Sequence, residues 1–185
     1  IMLMMKKATW ALLLSLALLL LAGSAAAQEN IIEGDINKAA GSLEILRGTT
    51  VNGNVTVNMG EVLILGTVNG KVNSNMGQVT VHGEVNGSVE ANMGQVLITG
   101  TVSGDVVARM GEVIVEGAVG GNVEAELGAV RIRGTVAGDM NSGLGELRIP
   151  GEVLGNVTSR GKIVNITGTV RGDVALSRGI VELGP

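Results

Sequence analysis

Gly66-Thr67-Val68-Asn69-Gly70-Lys71-Val72 and Gly83-Glu84-Val85-Asn86-Gly87-Ser88-Val89 share one frame and begin 17 residues apart. That spacing decides the fold. From Val51 to Val170 a valine recurs at every 17th residue, with a glycine two positions on and, from Val55 to Val174, a further valine two beyond that, replaced once by Met140. A second glycine column runs from Gly66 to Gly168, and a third from Gly60 to Gly145 slips by one residue at Gly161. The pattern starts earlier, in Ile32-Glu33-Gly34-Asp35-Ile36 with Leu43 and Ile45, where the first winding carries two extra residues between Ile45 and Val51. Counting it gives about nine windings. A period held over the whole chain is the mark of a stacked repeat, since barrels and sandwiches do not keep so constant a spacing.

Within a unit, apolar and polar residues alternate, as in Val62 and Ile64, so the segments are strands and not helices. Glycines divide each unit into three short strands, and glycine tolerates the positive φ that a tight corner asks for. The expected fold is all-β: a single-stranded parallel β-helix, or β-solenoid, of 17-residue windings. Like side chains should then stack. Val62 to Val181 and Ile64 to Leu183 form two inward ladders, and Met59, Met76, Met93 and Met110, continued by Leu127 and Leu144, are expected to form a third. Small residues two positions earlier, such as Ser74 and Ala91, are expected to sit beside the thioethers in one corner of the core.

Composition fits such a core. Hydrophobic residues make up 45% of the 185, yet there is no Phe or Tyr and the one tryptophan is Trp10. Branched aliphatic side chains that pack well on a pleated surface must therefore fill the interior. Cysteine is absent, which excludes disulfides, thiolate metal sites and cysteine nucleophiles.

Residues 1–27 read as a signal peptide: Lys6 and Lys7, an apolar run from Ala8 to Leu21, and Ala25-Ala26-Ala27 as an A-x-A cleavage site. An uncleaved membrane anchor is the alternative, since Ala8 to Ala27 just reaches the length of a spanning helix. Residues 28–31 are expected as a short linker and 32–185 as the β-helix domain. The protein is expected to be exported and to be periplasmic, extracellular or membrane-tethered. Loss of the segment leaves 11 basic against 17 acidic residues, a mildly acidic balance that argues against nucleic acid.

The Gly-Thr/Glu-Val-x-Gly-x-Val pieces at Gly66–Val72 and Gly83–Val89 resemble the bactofilins, bacterial polymer-forming cytoskeletal proteins, over residues 32–183. The resemblance implies a right-handed triangular β-helix that polymerises end to end without nucleotide, associates with membranes and shapes the cell or its envelope. Bactofilins are typically cytoplasmic, whereas this chain resembles an exported variant.

Each winding of a solenoid is stabilised by its neighbours, and an uncapped end recruits another chain. Few residues flank the repeat, so self-association into a homopolymer is expected. Its interface is placed at Ile32, Ile36, Leu43 and Ile45 at one end and Val170, Val174, Val181 and Leu183 at the other. An outward column holding Leu63, Leu97 and Ile114 offers a lateral contact, and membrane or cell-wall components are further candidate partners. Arg and Lys gather from Arg109 onward, so salt is expected to alter association.

No catalytic, cofactor-binding or metal site is expected. His82 stands alone, no base accompanies a serine, and the acidic residues around Glu112 to Glu126 form no calcium loop. Arg171-Gly172-Asp173 has the form of an adhesion tripeptide, yet Ser103-Gly104-Asp105 and Ala137-Gly138-Asp139 occupy the same place in other units. Asn54-Val55-Thr56, Asn156-Val157-Thr158 and Asn165-Ile166-Thr167 are glycosylation sequons in form, at positions where β-helix corners favour asparagine. Three functions stand: a self-assembling scaffold of the cell envelope, a surface-displayed binding module or adhesin, and a polysaccharide-acting enzyme. The absence of aromatic platforms weighs against the last.

Overall fold

A chain that returns to the same residue type every 17 positions can satisfy its backbone by pairing each strand with its own repeat one winding on. In a computed structural model describing residues 29–184, the chain does this in three parallel sheets of nine strands each, and every sheet takes one strand from every winding. Val68 pairs with Val85, Val72 with Val89 and Val62 with Val79, each an offset of one period. In the first winding the offset is 19, with Ile32 on Val51 and Ile45 on Ile64, which absorbs the two extra residues. The first strand begins at Asn30, so residues 30 and 31 of the expected linker belong to the first sheet. The expected targeting segment, 1–27, lies outside the described residues.

The core follows from stacking. Inward valines and isoleucines such as Val68, Val72, Val79, Ile98 and Val113 are fully buried, each lying between the β-branched residues that hold its place in the neighbouring windings. Burial of a branched aliphatic side chain contributes on the order of 1.5–3 kcal/mol. Small residues line one inner corner: Ser74, Ala91, Ala108, Ala125, Ser142 and Ser159 are all buried.

Two expectations need correction. Positive φ explains one glycine column, from Gly60 to Gly128, where φ is near +139°. The other two columns are there for closeness between windings: a Cβ on Gly83 would lie 2.0 Å from the Gly66 carbonyl oxygen, and one on Gly70 2.3 Å from that of Gly53.

The methionines are the second correction, because Met59, Met76, Met93, Met110, Leu127 and Leu144 point outward and are 41–60% exposed. Pairing along this strand skips the residue before each methionine, such as Asn75 or Asn92, and the next residue is a positive-φ glycine. The chain bends there, so strict alternation fails at the last position. Ser74 and Ala91 already fill the inner corner two residues earlier, which leaves the long side chains outside.

Candidate assembly surfaces

A stacked rod presents two ends and three faces, and the two ends differ. At the start, Ile32, Ile36 and Leu43 are half-buried and Ile45 is only 2% exposed, so Ile45 presents no open surface. Lys38 occupies the inward column here, paired with Val57, where later windings place Ser74 and Ala91. Its Nζ donates to the Ser42 carbonyl at 2.5 Å, and its Cε is 3.4 Å from where a Cβ on Gly41 would sit. The aliphatic stem thus lies over part of the core while the amine stays wet. An inward-pointing charge is one of the devices that blunt an edge against further pairing.

The last winding is more open. Ile180 is 74% and Leu183 69% exposed, Val174 and Val181 are also exposed, and Val170 and Leu176 are half-buried. Its backbone is unfinished in a defined way. The amide N–H of the residue that opens the second sheet's strand donates forward in each winding, as from Val55 to the Lys71 carbonyl and from Val157 to the Asp173 carbonyl. Val174 holds that place last, and among the described residues no carbonyl follows it.

The outer surface is held by column contacts that repeat with the period. At one corner an Asx side chain caps the next winding: the Asp105 Oδ1 accepts the Asn122 N–H at 2.7 Å, Asn122 that of Asp139 at 2.8 Å, Asp139 that of Asn156 at 2.7 Å, and Asn156 that of Asp173 at 2.8 Å. Asp35 and Asn54 do the same at the start. Two of the three sequon asparagines, Asn54 and Asn156, are therefore engaged in caps, and Asn165 donates to Glu182 at 3.0 Å. The Arg171-Gly172-Asp173 tripeptide is built into the same lattice, since Arg171 bonds Glu152 at 2.9 Å. His82 Nδ1 lies 2.5 Å from Thr99 Oγ1 one winding on. Among the described residues no three His, Asp or Glu side chains converge on a metal position, and no helix is long and apolar enough to cross a membrane.

On the third sheet's outer face, Leu63, Leu97 and Ile114 are half-buried and in register through Thr80. Past Ile114 the column becomes Arg131 and Arg148. These arginines face acidic neighbours: Arg131 lies 4.0 Å from Glu112, Arg148 pairs with Glu146, and the adjacent Arg133 bonds Glu116 at 2.8 Å. The basic face is therefore largely compensated.

The larger apolar feature is the ridge from Met59 to Leu144, along the edge between the second and third sheets. It ends where Gly161 takes the next place in the column, leaving a recess of about 330 Å³ walled by Leu144, Glu146, Lys162 and Ile163. Reading this ridge from sequence required weighing the positive-φ glycine after each methionine over strict alternation. No protein-family model, curated protein or solved structure matches the chain.

Proposed function

We propose that the protein is a structural, self-assembling scaffold of the cell envelope that polymerises by stacking its β-helices end to end. The observation that carries the reading is the last described winding, with its exposed Val174, Ile180, Val181 and Leu183 and a Val174 N–H that no carbonyl follows among the described residues. A β-edge in that state is a template for another chain.

Head-to-tail stacking continues every column of the repeat. Val170 would lie over Ile32 of the next copy, Val174 over Ile36, Val181 over Leu43 and Leu183 over Ile45. The Val174 N–H would then meet the Asp35 carbonyl. Arg171 would approach Glu33, whose carboxylate already takes the Asn52 side chain of the next winding at 2.8 Å. Three contacts oppose the joint: Leu176 falls over Lys38, Glu182 over Glu44, and Asp173 over Asp35, the two ends of the Asx column. They set its strength below that of an interior winding, which suits a polymer that must also stop. The bactofilin resemblance points to the same function, and an export segment would place the polymer outside the cytoplasm.

Electron microscopy of the purified protein across a concentration series tests this. Rods much longer than the roughly 40 Å of nine stacked windings are expected. Single short rods at every concentration would reject it. A surface-binding module is the second reading, favoured by the exposed ridge. Monomers that bind envelope polysaccharide, with no long rods, would select it.

A further inference from the structure

The ridge needs a partner on physical grounds. Six large apolar side chains at one-winding spacing run for about 24 Å along a straight edge, each roughly half exposed. Contiguous exposed apolar surface of this kind marks an interaction site, in contrast to scattered exposed leucines. Methionine suits such a surface, because its flexible thioether adapts to an opposing copy of itself.

The polar columns beside the ridge identify the occupant. On one side, immediately before each ridge residue, stand Asn58, Asn75, Asn92 and Arg109. On the other side, two residues after it, stand Glu61, Gln78, Gln95 and Glu112. We propose that the ridge is a lateral interface between two copies of this chain, lying side by side and parallel about a two-fold axis along the rods. That symmetry sets the column before the ridge against the column after it at the same height. Asn58 then faces Glu61, Asn75 faces Gln78, Asn92 faces Gln95 and Arg109 faces Glu112, each of them reciprocally. Every pair can hydrogen-bond, the fourth with opposite charges, and no like charges meet. The fifth and sixth windings set Glu126 against Ala129 and Gly143 against Glu146, which adds no repulsion.

The antiparallel alternative fails the same comparison. It turns each column on itself in reverse, so that Glu61 meets Glu146 and Arg109 meets only Asn92. Arg109 supports the parallel choice further: it is exposed and, among the described residues, makes no ion pair within the chain. A closed, self-complementary two-fold pair is also the commonest form of homo-oligomer.

This interface does not depend on end stacking, and it can be tested apart from it. The chain has no cysteine, so single replacements report contacts without background. In the parallel pair, Met59→Cys and Leu127→Cys each meet their own copy at the same height, and mild oxidation of either variant gives a covalent dimer. In an antiparallel pair, Met59→Cys cross-links only when mixed with Leu144→Cys. End-stacked copies hold equivalent ridge positions a rod length apart, about 40 Å, and cross-link in neither case. Covalent dimers from both single variants support the proposal; no dimer, or a dimer only from the mixture, overturns it.

A second variant reads the charge register. Arg109→Glu sets carboxylates against each other in both halves of the pair. Its dimerisation, followed by sedimentation, should weaken about tenfold at low salt, with the gap closing at about 1 M salt. Equal affinity of Arg109→Glu and the unaltered protein at low salt would overturn the assigned pairing.

Discussion

The first and last windings are built from the same columns, yet they meet solvent differently. Ile45 and Leu183 are members of one inward ladder; the first is buried and the second is 69% exposed. Lys38 and Leu176 are members of another; the first carries an amine to the Ser42 carbonyl across the end of the core, and the second is an uncharged side chain at an unfinished edge. Column membership alone therefore does not define an adhesive end. What covers the column does: among the described residues one end is dressed with a snorkelling charge, and the other presents bare aliphatic side chains and an undirected N–H.

Shared columns allow that contrast to be tested residue against residue. Ile45→Ala should cost about 2–5 kcal/mol, the range for emptying a buried aliphatic site, whereas Leu183→Ala in dilute solution should stay within about 0.5 kcal/mol. Chemical denaturation of the two variants measures both, and equal losses would erase the distinction between the ends. Lys38→Leu should lower the concentration at which light scattering reports assembly by about tenfold, a shift of about 1.4 kcal/mol, because the charge that must otherwise be kept wet is gone. An unchanged threshold would mean that the first winding is not what limits joining.

Ser74 lies two windings along the Lys38 column, buried, with a hydroxyl that finds no hydrogen-bond partner among the described residues. Ser74→Ala should therefore raise stability by about 1 kcal/mol, since a polar group tolerated at an open end is a liability inside. The smallest effect is expected at Arg171, whose contact to Glu152 lies on the surface. Arg171→Ala should cost at most about 1 kcal/mol of stability, fading as salt is added. A larger loss in assembly than in stability would place Arg171 at the joint.

Architecture was legible because the 17-residue period appears in several columns at once, and valine, glycine and isoleucine columns all demand the same winding. Even the two-residue expansion of the first winding could be read from the distance between Ile45 and Val51, and it reappears as the offset of 19 between Ile32 and Val51. The corners were not legible from alternation. Met76 is two residues from an inward Ser74, yet the break in pairing at Asn75 and the positive φ of Gly77 send it outward. Glycine identity concealed two causes, because a strained φ and a carbonyl 2.0 Å from a missing Cβ exclude side chains equally well. The dressing of the first winding was hidden for another reason. Lys38 reads as one more polar residue until the register places it beneath Val57.

Backbone hydrogen exchange at Val174, followed as a function of protein concentration, tests end stacking most directly. If the strands of one copy continue into the next, the Val174 amide exchanges freely in dilute protein and becomes protected as rods lengthen, while the Val157 amide, already bonded to Asp173 at 2.8 Å, stays protected throughout. Rapid exchange at Val174 at every concentration, in protein that is visibly assembled, would show that the copies join somewhere other than at the open winding.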